Sequence, residues 1–147
     1  MVKALTLDSS VLVAALRKTE EKHKECLLLM KKVKEGDYVA IEPFTVLVEV
    51  VAAIRRRTGS QEIALEIKQE LLKIDNLRFL DIDRVAAEAA TDIAAETGVR
   101  GMDAIVIQIA KEYGTILVSL DKELIEGAKE IVKTREISGF SLSHNKS

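Results

Sequence analysis

The sequence predicts an α/β fold built on a parallel sheet with helices on both faces. Short apolar runs alternate with stretches of helical periodicity along the chain, the pattern left by strand–helix–strand units. Two of those runs end in an acid: Asp8 follows Ala4-Leu5-Thr6-Leu7, and Asp121 follows Thr115-Ile116-Leu117-Val118-Ser119-Leu120. In open sheets of this class, ligands bind beyond the carboxyl ends of the strands. With 147 residues, 48% hydrophobic content and one proline, the chain fits one domain over residues 1–140 and a polar tail over 141–147.

Taken in order, strands are expected at about 3–7, 38–42, 77–82 and 115–119, with a last one near 135–139. Residues 9–17 and 20–35 read as two helices, the second stopped by Gly36, with Lys31, Lys32 and Lys34 at its negative end. Pro43 suits the first turn of a helix that runs to Thr58-Gly59. Ser60 caps a helix over 61–74 whose Ile63, Ile67, Leu71 and Ile74 form one stripe. Asp83 begins an alanine-rich helix ending at Gly98, the next covers 102–113 before Gly114, and a last one is expected over 122–133.

The bulk composition excludes several classes. A net charge of −2 gives no basis for wholesale binding to nucleic acid or membrane, so any polyanion must meet a local patch. Cys26 is the single cysteine and cannot form an internal disulfide, which fits a reducing cytoplasm. It falls among Leu27, Leu28, Leu29 and Met30, where a buried structural thiol is expected rather than a nucleophile. The apolar run Val2 to Leu7 is too short for a signal peptide, and no apolar stretch is long enough to span a bilayer. With only His23, in a charged helix, and His144, in the polar tail, a histidine base or a His-rich metal site is disfavoured.

Four acids then stand out: Asp8, Glu49, Asp103 and Asp121. Asp8 could cap the helix after it, but Ser9 and Ser10 can do that themselves. Asp103 in a first turn suits the helix dipole whatever its function. Glu49 is harder to dismiss, because Val46, Leu47, Val48, Val50, Val51, Ala52 and Ala53 surround it, and a lone acid there needs a partner or a task. The topology delivers all four to one end of the sheet. Two carboxylates about 4 Å apart repel by roughly 4 kcal/mol at an effective dielectric of 20, so such a cluster calls for a cation. An all-oxygen donor set selects a hard ion, Mg²⁺ or Mn²⁺, which can acidify and orient a water and neutralise a phosphoryl group. Phosphodiester hydrolysis is the chemistry that fits.

These residues carry the pattern of a known family. The run Leu5-Thr6-Leu7-Asp8-Ser9-Ser10-Val11-Leu12 resembles the opening strand of the PIN-domain ribonucleases, with their first acid and, two residues on, the hydroxyl of Ser10. That family includes the VapC toxins of bacterial and archaeal toxin–antitoxin pairs. The stretch Pro43 to Ile54 is similar to its glutamate-bearing helix, here with Glu49, and Arg100-Gly101-Met102-Asp103-Ala104 to its third-acid helix. Leu117-Val118-Ser119-Leu120-Asp121-Lys122-Glu123-Leu124 resembles the closing motif, although Glu123 and Leu124 stand where a second Asp and a Phe are usual. That departure leaves two roles for Glu123, assisting the metals or facing solvent.

The resemblance covers nearly the whole chain. It implies a three-layer α/β/α sandwich and Mg²⁺- or Mn²⁺-dependent endonucleolytic cleavage of RNA. It further implies a homodimer and a small antitoxin whose tail enters the acidic groove. Arg100 and the triplet Arg55-Arg56-Arg57 are candidate phosphate contacts, the triplet being equally suited to a helix C-terminus. Ser10 and Ser119 are candidate supports. The apolar stretches Phe44 to Ile54 and Val85 to Ala95 exceed what a small sheet covers, which independently points to a dimer.

Other classes fit less well. A haloacid-dehalogenase-type phosphatase needs a second acid where Ser10 stands, and a receiver domain needs a strand-end Asp in mid-chain, where Asp81 and Asp83 read as a strand exit and a helix cap. An RNA-processing or quality-control nuclease of the same fold, or a non-catalytic RNA- or protein-binding module, remains open; the presence of all four acids argues against the latter.

Overall fold

The computed structural model describes residues 3–141; the expected polar tail from 142 onward, with His144, lies outside the described residues. The elements run β1 (Lys3–Leu7), α1 (Ser9–Leu16), α2 (His23–Glu35), β2 (Tyr38–Pro43), α3 (Phe44–Thr58), α4 (Gln61–Leu72), β3 (Leu77–Leu80), α5 (Arg84–Thr97), α6 (Gly101–Tyr113), β4 (Ile116–Val118), α7 (Lys122–Ala128), β5 (Thr134–Arg135) and α8 (Ser138–Ser141). The strands form one sheet in the order β3-β2-β1-β4-β5, every pair parallel. Helices cover it to give the three-layer α/β/α sandwich that the sequence predicts.

Burial on both faces explains why the central strands read as unbroken apolar runs. Leu5 and Leu7 of β1, Ala40 of β2 and Leu117 and Val118 of β4 have no exposed surface. Each fully buried leucine contributes about 1.5–3 kcal/mol of transfer free energy. The helices pack as successive pairs, α1 with α2, α3 with α4 and α5 with α6. Ser60 caps α4 by accepting from the Ile63 amide, and Asp83 caps α5 by accepting from the Ala86 amide. Gly36 ends α2 with φ at +90°, a conformation that a side chain would strain. Cys26 is buried, and burial, followed by the Glu25 charge, pushes its thiol up to about 12 against the influence of Lys22. It is an inert packing group. No helix among the described residues is long and apolar enough to cross a membrane.

Several expected boundaries shift. Helix α2 starts at His23 instead of residue 20, because residues 17–22 make turns that include the Glu20 amide bonded to the Arg17 carbonyl. Pro43 closes β2 in register with Leu80 and sits at the N-cap of α3, with an extended ψ of 146°, so it lies one step outside the first helical turn. Helix α7 stops at Ala128 and not at 133. The Ile131 and Val132 amides turn back to the Ala128 carbonyl, which lets Lys133 reach the Leu117 amide and start β5. The last strand is confined to Thr134–Arg135, and α8 replaces the strand expected to 139. Ile137, just before α8, and Phe140 within it are both buried. The Phe140 ring meets Tyr38 edge-on and lies under the Arg135 guanidinium.

The winding places the functional end. The chain steps outward from β1 to β2 to β3, then returns to the other side of β1 as β4 and β5. The switch in direction lies between β1 and β4, where the two strand-end acids Asp8 and Asp121 emerge.

Candidate active site

Asp8 follows β1 and is only 4% exposed. Although it occupies the N-cap position of α1, its side chain makes no capping bond. Its Oδ2 accepts two hydrogen bonds, from Ser10 Oγ at 2.9 Å and from Ser119 Oγ at 2.9 Å. Each serine oxygen in turn accepts a backbone amide: Ser10 from Leu120 across the cleft at 3.1 Å, and Ser119 from Asp121, two residues on in its own segment, at 2.9 Å. With the Asp8 amide bonded to the Val118 carbonyl at 2.9 Å, the ends of β1 and β4 are stitched around one carboxylate. Two hydroxyl donors also fix where that carboxylate points.

Asp121 caps α7, its Oδ1 accepting from the Glu123 and Leu124 amides. Asp103 lies in the first turn of α6, directly after the Gly98–Arg100 connection. Glu49 comes from α3. Burial pushes the Glu49 carboxyl up to about 7, with the Asp8 and Asp103 charges adding to the rise while the Ser9 hydroxyl and Arg100 oppose it. Burial likewise raises Asp103 to about 6, helped by Asp8 and Asp121 and opposed by Arg100. Glu123 adds a weaker push on Asp103, which places this exposed acid beside the cluster. The four predicted acids therefore share one electrostatic environment, and Arg100 is the cation that acts on it.

Glu49 Oε1 is buried and has no hydrogen-bond partner. An orphaned carboxylate oxygen beside other carboxylates is a place for a cation. The donors at hand are carboxylate and hydroxyl oxygens, which suit Mg²⁺ or Mn²⁺ and disfavour softer ions. Among the described residues no group of three His, Cys, Asp or Glu side chains is gathered into a ready cage. Asp8, Glu49, Asp103 and Asp121 are the residues that would hold the ion.

Two grooves flank the cluster. The larger, about 1080 Å³, runs from Ser10 and Glu49 past Thr45 to Arg56 and Arg57. The smaller, about 500 Å³, is lined by Arg100, Asp103 and Glu123 together with Val99 and Gly127. The arginine triplet thus divides: Arg56 and Arg57 face the larger groove, Arg57 also pairing with Glu20 at 3.7 Å, whereas Arg55 lines a separate apolar groove. A Cβ at Gly127 would fall 2.5 Å from Val99 Cγ1, so this glycine lets α7 close onto the connection that bears Arg100.

One acid escapes the sequence reading. Glu42 is fully buried near the end of β2, and its Oε2 accepts the Leu7 amide at 2.7 Å. The signal was present, since Glu42 ends the apolar run Tyr38-Val39-Ala40-Ile41 much as Asp8 ends its own.

Solved structures share this fold. The Mycobacterium tuberculosis toxin VapC20, described as cleaving the sarcin–ricin loop, is 18% identical, with a TM-score of 0.73 over 89% of this chain and 98% of its own. VapBC from Salmonella typhimurium, solved bound to DNA, is 19% identical, with a TM-score of 0.65 over 93% and 99%. FitAcB from Neisseria gonorrhoeae is 15% identical, with a TM-score of 0.66 over 91% and 98%. No curated protein matches the sequence. The PIN-domain profile matches residues 5–130, a span that holds all four acids and both serines, and the chain belongs to the PIN-domain family.

Proposed function

We propose that this protein is a Mg²⁺- or Mn²⁺-dependent endoribonuclease that hydrolyses RNA phosphodiester bonds, and that it serves as the toxin of a toxin–antitoxin pair in the cytoplasm. One observation carries the reading: the partnerless, buried Glu49 Oε1, whose carboxyl is pushed up by burial first and then by the charges of Asp8 and Asp103. When bound, the ion supplies positive charge against the phosphate oxygens and acidifies a water. The protein does the placing. Ser10 and Ser119 hold Asp8 in one direction, and Asp121 is anchored by the α7 amides. Arg100, with Arg56 and Arg57 along the larger groove, would take the phosphates on either side of the cut. Glu123 lines the smaller groove beside Asp103 and supports that wall.

VapC20 and the VapBC complex share this fold, which supports an RNA substrate and a small antitoxin reaching into the acidic groove. The purified protein is expected to cut single-stranded RNA with Mg²⁺ or Mn²⁺ and to stop with EDTA. Cleavage that survives rigorous chelation removes the metal-dependent reading.

A homodimer is part of the proposal. Phe44 and the 60% exposed Val48 of α3 line one apolar groove with Leu65 of α4, and Val85 of α5 is 77% exposed, which supports a second copy covering these side chains. Light scattering at micromolar concentration is expected to give twice the 16.2 kDa chain mass. A monomer at all concentrations refutes it.

A further inference from the structure

Glu42 lies outside the four-acid set, and its placement is costly. It has no exposed surface, and its Oε1 makes no hydrogen bond. A buried carboxyl with an unsatisfied oxygen destabilises a fold, and an apolar side chain would pack there at lower cost. Stability alone does not explain it.

Its one bond does. The β1–β2 ladder is in register from Lys3 with Tyr38 to Leu5 with Ala40. Two residues further, the Leu7 amide would meet the next β2 carbonyl, that of Ile41. Instead the Thr6 hydroxyl donates to the Ile41 carbonyl at 2.8 Å, and the Leu7 amide donates to Glu42 Oε2 at 2.7 Å. Thr6 is in turn 2.6 Å from the Thr115 hydroxyl. On the other edge of β1 the main chain keeps hold, through the Asp8 amide and the Val118 carbonyl. The segment that presents Asp8 is therefore held by backbone on the β4 side and by buried side chains on the β2 side.

We infer that Glu42 is a positioning residue for Asp8: its carboxyl takes the Leu7 amide out of the sheet ladder and so sets the direction from which the first acid enters the cleft. Burial above all pushes the Glu42 carboxyl well above its usual range, with the Leu7 bond opposing and the Asp8 charge adding to the rise. A neutral acid still accepts the Leu7 amide, so the role does not require a charge. The inference rests on the metal-dependent reading of the site, and it extends the supporting shell from Ser10 and Ser119 to a third element, β2.

Four variants separate positioning from stability, with Mn²⁺ alone as the probe in calorimetry and amide exchange of Leu7 and Asp8 as a second readout. Glu42→Gln retains an acceptor and should bind Mn²⁺ within about threefold of wild type. Glu42→Met removes the acceptor at similar size and should lose about 10–100-fold in affinity, with faster Leu7 exchange. Glu42→Asp keeps the acid but withdraws it by one methylene, and should lose affinity likewise, which covers a Met variant that does not fold. Phe140→Leu, remote from the cleft, should melt lower and keep its Mn²⁺ affinity. Wild-type affinity and Leu7 protection in the Met or Asp variant overturn the inference, as does an equal loss in Phe140→Leu. A wild-type protein that binds no Mn²⁺ sinks the metal-dependent reading instead, and Leu7 exchange in the same variants still decides whether Glu42 positions the strand.

Discussion

Asp8→Asn is expected to lower RNA cleavage by at least about 100-fold while the metal-free variant melts no lower than wild type. The amide oxygen of Asn can accept the Ser10 and Ser119 hydroxyls that Asp8 Oδ2 accepts now. No helix cap is lost, because Asp8 makes none. What disappears is one negative charge that raises both Glu49 and Asp103. Repulsion in the metal-free state should fall, and so should the attraction for a cation. Saturating wild type with Mg²⁺ at about 100 times its dissociation constant adds roughly 2.7 kcal/mol through linkage. In a domain of this size that is a rise of about 5–10 °C in Tm. Melts in EDTA and across a Mg²⁺ titration check both halves, and the variant should show little of the rise. Equal metal-induced shifts in the two proteins would mean that Asp8 is no ligand.

The EDTA-treated protein is expected to become more stable on mild acidification, the reverse of a protein held by surface ion pairs. Glu49 titrates near 7 in the fold against an ordinary 4.5, and Asp103 near 6 against 3.8. A raised carboxyl binds its proton more tightly folded than unfolded, so its stabilising effect belongs to the protonated form. For Glu49 that effect is complete below pH 4.5 and lost as pH rises through about 7; for Asp103 it is complete below 3.8 and lost through about 6. Melts from about pH 8 to about pH 5.5 should therefore climb, until protonation of the remaining carboxylates reverses the trend. Glu49→Gln should flatten the upper part of the curve. Saturating Mg²⁺ should remove the climb, because a bound ion keeps the acids ionised and releases their protons. A flat or falling Tm on acidification in EDTA would show that these acids are not held together against solvent.

How far the sequence can be read follows from where each signal is local. Asp8, Asp121 and Glu49 are legible because a charge inside or at the end of an apolar run is anomalous on its own. The helix ends at Gly36, Gly59, Gly98 and Gly114 are legible because glycine in the left-handed region marks them. The stop at Ala128 is not, since no glycine or proline follows it. It is imposed by the pairing of Lys133 with Leu117, far apart in the chain. Glu42 carries the same local signal at the end of Tyr38-Val39-Ala40-Ile41, but its role is not legible, because its partner, the Leu7 amide, belongs to another strand. The arginine triplet was legible as charge but not as direction, because helical spacing sends Arg55 to one groove and Arg56 and Arg57 to another.

The strand order also sets a clock. Strand β1, which carries Asp8, is made early, but its partner β4 and the acid Asp121 come only after most of the 147 residues have been joined. Until Val118 is in place, the Asp8 amide lacks its carbonyl, and Ser119 is not there to hold the carboxylate. A half-finished chain therefore carries the first acid without the cleft. Closure of the cleft waits on the residues of β4 and the start of α7, the late-made half of the fold.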